Sequence, residues 1–378
     1  MDFNLTPQQI ALQTRIRKFA ETEIAPTVSE RDEKGVFERW VFNKCAEQGL
    51  AGLPFPEEYC GGGGSLLDYI IALEEVGKVE SALVLILASH IAPMTCIFQH
   101  GTEEQKQRWL VPMCKGEALA CFSITEPGAG SDPASMKSRA VRDGRYYVLN
   151  GKKTFATNSG AADVYVLFAS TDPEAGGKGI SAFIIPRDTP GLSFGEPIQK
   201  MGVRTSVQRE VYLEDCRVPA ENLLGQEGQG LRIALSALDV GRIEIAAQGV
   251  ALSQAAYEYA LNHAKARQQF GRAIGQNQAI QFMLADMHVA TEAARLLTYR
   301  AACAYDEGRP YAKDAAMAKL YATDTAMRVT TDAVQILGGF GVTKASPVER
   351  FMRDAKVTQI YEGTNQVQRM VIAGHIMK

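Results

Sequence analysis

The chain has 378 residues, 46% of them apolar and 22% charged, with a formal net charge of -3. That length exceeds what one hydrophobic core serves, so two or three domains are expected. The balanced charge, with no Lys/Arg block, argues against nucleic acid and against an anionic membrane surface as partners.

The N-terminus, MDFNLTPQQIALQTRIRKFA, lacks the basic-then-apolar layout of a secretory leader. It predicts a helix at once, with Thr6 as N-cap, Pro7 as first helical residue and Gln9 closing a capping box. A cytoplasmic chain is expected, and a processed organellar chain would read the same. The apolar string LVLILASHIAPM is short for a membrane span and holds a histidine and a proline. The strings QTRIRKFAETEIAP, WVFNKCAEQGLAG and LLDYIIALEEVGKV repeat apolar positions at three and four, which predicts helices up to about residue 120. Between them, LPFPEEYCGGGGS is a loop that crosses another backbone or serves as a flexible tether.

Near Cys121 the period changes. RYYVLNGKKTFATN alternates about Asn150-Gly151, which predicts a hairpin turn there. DVYVLFAS, ISAFIIPR and REVYLEDCRVP follow as strands, so a β domain is expected over 121–228. After Gly230 the strands stop and long helix-periodic runs follow, joined by short loops, as in an antiparallel bundle over 229–378. Helices, then strands, then helices give an α+β class, mostly helical, rather than a doubly wound sheet. The seven cysteines are scattered, odd in number and free of CxxC, and the five histidines include no HExxH. Buried free thiols are expected, and no metal.

Six motifs carry candidate chemistry, and each admits a plain reading. In ITEPGAGSD, Gly128 and Gly130 let backbone amides approach a ligand, with Thr125, Ser131 and Asp132 as polar neighbours. The third glycine of a dinucleotide fingerprint is missing, so taken alone the string reads first as an ordinary turn and second as a ligand loop. In KTFATNSG, strand alternation places Phe155 and Thr157 on one face. They form either a support for a flat heterocycle or a core ring beside a turn threonine. In ARQQFGRAIGQNQAI, Arg267 and Arg272 flank a glycine. They either fork onto a pyrophosphate or close a helix end that stops at Gly271. VQILGGFG offers a helix C-cap or bare backbone for a nucleotide. LDVGRIE sets Asp239 and Arg242 at i,i+3, a surface ion pair or a charged pocket wall. In QIYEGTNQVQR, Glu362 is a cap, a solvated charge or a catalytic base.

Taken in order, ITEPGAGSD, KTFATN, MGVRTS, LEDCRVPAENLLG, RQQFG, VQILGGFG and MRDAKVTQIYEGTNQVQR resemble the acyl-CoA dehydrogenase family of flavoproteins. PEEYCGGGG and GTEEQKQRWLVPM extend the resemblance over almost the whole chain. It implies an N-terminal α domain (1–120), a middle β-barrel or sandwich domain (121–228) and a C-terminal four-helix bundle (229–378). It also implies FAD. Phe122, Ile124, Thr125, Gly130 and Ser131 would line the flavin and its pyrophosphate, Phe155 would pack on the ring system, and Thr157 would bond near N5. The more frequent Trp-Ile-Thr is Phe-Ala-Thr here. Arg267, Phe270, Gln278, Gln335, Gly338 and Gly339 would serve the FAD of a neighbouring subunit. This implies at least a dimer, usually a dimer of dimers. Asn277 replaces a frequent histidine. Thr364 and Gln366 would contact the protomer's own FAD, while Ser131, Asp239, Arg242 and Gly363 would contact the CoA thioester.

Glu362 falls on the family's base, which removes the α-proton of an acyl-CoA while the β-hydrogen leaves as hydride to the flavin. Some relatives carry the base at the position of Gly241, which here has no side chain, and Glu244 is a minor second candidate. The resemblance implies electron-transfer flavoprotein as redox partner. GSDPASMKSRA is similar to glutaryl-CoA dehydrogenases, but Val84 stands where those enzymes hold an arginine. MDFNLT and DVGRIEIAAQ look closer to short-chain, butyryl-type enzymes, with a branched or alicyclic acyl group also open. His90 is expected to be a satisfied core histidine rather than a pocket residue. An oxygen-reactive oxidase and a silent binding protein on the same scaffold are the alternative readings.

Overall fold

The computed structural model describes residues 4–377, so Met1–Phe3 of the MDFNLT string lie outside the description. Helix α1 (Pro7–Phe19) starts as the sequence dictates: Thr6 Oγ1 accepts from the Gln9 amide, and the Gln9 side chain accepts from the Thr6 amide. A π-helical turn, Ala20–Ile24, leads into α2 (Ala25–Lys34), and α3 (Arg39–Glu47) follows. The glycine run then folds back on its own chain. Gly62, Gly63 and Gly64 donate to the carbonyls of Gly52, Phe55 and Leu53, and a Cβ on Gly61 would stand 2.1 Å from the Phe55 oxygen. The run is a backbone crossing and not a tether.

Helices α4 (Leu66–Val79) and α5 (Ser81–His100) come next, then the short α6 (Glu103–Gln105) and α7 (Val111–Cys114). α5 is longer than its apolar string suggested: with 20 residues and a mean hydropathy of 1.9 it passes the length and composition test for a membrane span. Yet 94% of that window is buried within the protein, as befits a core helix. His90 lies on it with no exposure; Nδ1 accepts from the Ala120 amide and Nε2 faces the Met113 carbonyl. Burial lowers its pKa to about 4, so it stays neutral and satisfied in the core. All seven cysteines are free; five are buried, whereas Cys60 is exposed and Cys303 half-buried.

The middle region holds β1 (Ala120–Ser123), β2 (Arg139–Asp143), β3 (Tyr146–Thr157), β4 (Val164–Ser170), β5 (Ile180–Pro186), β6 (Leu192–Phe194), β7 (Gln208–Pro219) and β8 (Leu223–Leu224). The strands run in the order β6-β7-β3-β2-β4-β5-β8, with β1 parallel to β4. The path ends at β6 and β8, so it makes a folded sheet rather than a closed barrel. β4 is buried at every position, matching its unbroken apolar run. The expected hairpin at Asn150-Gly151 is corrected. The turn lies earlier, at Gly144 (φ 59°), and β3 runs on through Asn150-Gly151 with a register slip against β7. Asn150 brackets Asp215 across that bulge with two hydrogen bonds, and a Cβ on Gly151 would meet Ser138 Oγ at 2.2 Å. An Asn-Gly pair serves a bulge as readily as a turn.

The C-terminal region is built on α8 (Gly230–Ala266), 37 residues and about 55 Å long. A small hairpin, β9 (Gln268–Gln269) and β10 (Arg272–Ala273), leads to α9 (Gln278–Asp306) and α10 (Ala312–Leu337). The short α11 (Val348–Thr358) and α12 (Asn365–Ile376) pack on α10. Small residues bring α8 and α10 close: a Cβ on Gly249 would stand 2.8 Å from the Ala322 oxygen. One apolar core runs from Phe42 through Tyr165 and Phe183 to Ala246 and Ala318, joining the three regions. Buried charge also joins them. Arg31 forks onto Glu80 at 2.6 Å, Thr205 donates to Glu80 at 2.5 Å, and Arg353 reaches Asp32 at 2.6 Å, which fixes the MGVRTS loop between α2 and α11.

Candidate active site

The turn between α11 and α12 is held from below by side chains of α10 and α12. Lys319, with no exposure, donates to the Gly363 carbonyl and to Asn365 Oδ1, both at 2.9 Å. Gln368 Nε2 donates to the Glu362 and Gly363 carbonyls at 3.0 Å. Asn365 reaches Thr323 and Asp324, and Thr364 caps α12 through the Val367 amide. These bonds hold Glu362 (φ 54°) and Gly363 (φ 85°) in left-handed backbone, a conformation costly for the glutamate and kept only where the surroundings enforce it. Gly363 is needed on two counts, since a Cβ there would also lie 2.6 Å from Gln368 Nε2. The room its missing side chain leaves goes to that amide.

The Glu362 carboxyl lies over α8 at Gly241, with Oε2 buried and unpartnered. Burial raises its pKa to about 7, while Arg242 and Lys319 pull the other way. Burial also lowers Lys319 to about 7. Asp239 and Arg242 are ion-paired, as the spacing implied. Arg242 is 7% exposed and Asp239 half-buried, so the pair is not a freely solvated surface pair. Glu244 is fully buried, near enough for the Glu362 charge to raise its pKa. Next to the turn, the Tyr361 hydroxyl donates to Gln248, whose amide holds Ser81.

The second group gathers where β1 meets β3. Thr154 donates its amide to the Thr125 carbonyl. Buried Lys153 reaches the Ile124 carbonyl (3.3 Å) and Glu126 Oε1 (2.7 Å); Glu126 also accepts from the Lys137 and Ser138 amides and the Ser138 hydroxyl. This buried ion pair shapes the ITEPGAGSD loop. Nothing lies within 4 Å of where a Cβ would stand on Gly128 or Gly130, and Ser131 is exposed beside them. The expectation that Phe155 and Thr157 share a face is corrected: a bulge between Lys153 and Ala156, with Phe155 at φ 54°, breaks the alternation. Phe155 is 63% exposed and Thr157 is buried. Thr157 Oγ1 accepts from Gln208 Nε2 at 2.9 Å, which leaves its own proton free to donate. A bare aromatic ring, a hydroxyl donor and two open glycines fit a flat, phosphate-bearing heterocycle such as FAD. Phe122 near the end of β1 is half-buried, and Ile124 just beyond it is buried.

The third group is not brought to the other two. Arg267, Phe270, Gln278, Gln335, Gly338 and Gly339 are all exposed at the far end of the bundle. Along α8, Arg267 is about 39 Å from Gly241. The helix ends at Ala266, with Arg267 already extended, so Gly271 is not its stop. Instead Phe270 and Gly271, both left-handed, form the tip of the β9–β10 hairpin, with the Phe270 ring 99% exposed. Gly338 does cap α10, at φ 60°. Gln366 is exposed at the start of α12. Sequence reasoning did not single out Lys319, Gln368 or the Lys153–Glu126 pair. A lysine inside the alanine-rich AAMAKLYATD face was the signal for the first.

Three family models cover the chain: Acyl-CoA dehydrogenase, N-terminal domain (residues 6–117), middle domain (121–216) and C-terminal domain (228–377). The short-chain specific acyl-CoA dehydrogenase of Clostridium acetobutylicum is 48% identical over 100% of both chains. Butyryl-CoA dehydrogenase from Megasphaera elsdenii superposes with a TM-score of 0.99 at 46% identity, again over 100% of both chains. A chain solved in work on the electron transferring flavoprotein of Acidaminococcus fermentans and flavin-based electron bifurcation matches with the same score at 49% identity, over 100% of both. From its N-terminal helices to the turn that carries Glu362, the chain belongs to the acyl-CoA dehydrogenase family.

Proposed function

We propose that the protein dehydrogenates a short-chain acyl-CoA to its 2-enoyl thioester, with Glu362 as the base that takes the α-proton. The observation that carries this is the half-buried Glu362 carboxyl, with Oε2 enclosed and unpartnered, raised to about 7 and fixed by a strained turn. A base held near working pH can both take and release a proton. Among the described residues no acceptor takes the Glu362 backbone N–H, which leaves it to donate to the thioester oxygen as charge develops there. The Asp239–Arg242 wall, Ser131 and Gly363 border the thioester and the CoA. Bound FAD supplies the acceptor for the β-hydride.

Phe122 to Ser131, Phe155, Thr157, Thr364 and Gln366 would hold that cofactor in the protomer. Arg267, Phe270, Gln278, Gln335, Gly338 and Gly339 would complete the site of a neighbour; their exposure and their distance from the base support a dimer, and a dimer of dimers. The three domains are 1–120, 121–228 and 229–378. Electron-transfer flavoprotein is the proposed acceptor, supported by the relative solved in work on that protein. The acyl group is short, as the names of the relatives indicate. A dicarboxylic acyl group does not fit: buried Val84 offers no cation, and it is packed so closely that a Cβ on Gly77 would lie 2.9 Å from it.

The test is anaerobic flavin bleaching by straight, branched, cyclic and dicarboxylic acyl-CoAs. Bleaching by butyryl-CoA but not glutaryl-CoA is expected; the reverse order overturns the substrate reading.

A further inference from the structure

Around the proposed base, buried polar atoms gather that lack partners, most of them unused by the reaction. Among the described residues, Tyr69 Oη, both Glu244 oxygens and Glu362 Oε2 are buried without a hydrogen-bond partner. Glu244 follows Gly241 by three residues on α8, about 4.5 Å of rise, the span of a few carbon–carbon bonds. Tyr69 lies on α4, which packs against α8, and the hydroxyls of Tyr69 and Tyr305 both feel the Glu244 charge. Burial and the Glu362 charge keep the Glu244 proton on well above the usual carboxyl range. With its proton on, the Glu244 carboxyl donates one bond and accepts others.

A plain alkyl chain laid along this seam would leave these groups unmet and would keep water from them. We propose that Glu244 and Tyr69 form a polar end to the acyl site, which takes a short acyl chain bearing a hydrogen-bond donor, a hydroxyl or an amine, beyond its β-carbon. The inference rests on Glu362 marking the α-carbon. A hydroxyl donates to Glu244 and accepts from Tyr69. An ammonium instead pairs with Glu244 once that acid gives up its proton.

Three thioesters of matched length decide it: hexanoyl-CoA, 5-hydroxypentanoyl-CoA and 5-aminopentanoyl-CoA, with butyryl-CoA as reference. The FAD-loaded enzyme should favour a polar chain over hexanoyl-CoA by about tenfold in kcat/KM, the worth of one buried hydrogen bond. Dissociation constants on Glu362→Gln, which removes turnover, should show the same preference. Glu244→Leu should abolish it. Glu244→Gln should keep preference for the hydroxyl and lose it for the amine, which tells a neutral ligand from a cationic one even if the leucine variant fails to fold. A wild-type preference for hexanoyl-CoA, or ratios unchanged in both variants, overturns the proposal. Bleaching by butyryl-CoA without polar preference defeats this inference alone; no bleaching by any thioester defeats the assignment of the base as well.

Discussion

Gly241 and Glu362 touch across the site: a Cβ built on Gly241 would stand 3.1 Å from Glu362 Oε2 and 3.2 Å from its carboxyl carbon. A carboxylate grown from α8 would thus occupy nearly the same space. Glu362→Gly should lose acyl-CoA-dependent bleaching by several orders of magnitude. Adding Gly241→Glu to that variant should restore at least about tenfold. Stopped-flow absorbance measures both.

The Glu362 pKa sets a pH rule. With the folded carboxyl at about 7 against an ordinary 4.5, kcat/KM should rise about tenfold per unit up to that point and then level. The stability sign is opposite. A carboxyl raised in the folded state is least costly below 4.5, and stability falls as pH rises from there to the folded pKa of about 7, then levels. Glu362→Gln should therefore melt higher than wild type at pH 8 but not at pH 4.5, a difference on the order of 3 kcal/mol. Thermal scans at the two pH values check it.

Lys319→Met removes the ammonium that holds the Gly363 carbonyl and pulls the Glu362 pKa down. The acid limb of the rate profile should move to higher pH, with kcat lowered as the turn loosens. An unmoved limb would remove Lys319 from the tuning of the base.

Lys153→Met leaves Glu126 charged and buried without its cation. Loss of one partner of such a pair costs about 3–5 kcal/mol. The melting temperature should drop, and flavin should wash out more readily on gel filtration, because the ITEPGAGSD loop loses its brace.

Arg267→Ala should lower flavin retention while leaving the secondary structure intact by circular dichroism. Full flavin content would sink the role of the hairpin end in a neighbour's cofactor site.

The order of the three regions and the first helix cap were legible because they follow from local periodicity and capping chemistry. Asn150-Gly151 and Phe155 misled for one reason. Both sit at bulges in the β3–β7 pair, the first with its extra residue in β7 and the second in β3, and the strand that reveals the slip lies some 60 residues away. The string that carries Glu362 was readable as a motif, but the support of its turn was not. Lys319 and Gly241 come from helices distant in sequence, and only their packing shows that one braces the turn while the other makes room for the carboxyl. Arg242, open to a surface reading at i,i+3, is buried because α8 is covered along that face.

The length of α8 has a genetic consequence. One rod carries Gly241, the seat of the proposed base, near one end and the groups proposed for a neighbour's cofactor at the other, about 39 Å away. On that proposal, the impaired variants Glu362→Gln and Arg267→Ala damage different halves of a shared site. In a mixed dimer one site collects both lesions and the other collects neither. Co-expressing the two impaired proteins should return part of the activity that each has lost, and the intact sites would all belong to the Arg267→Ala protomers.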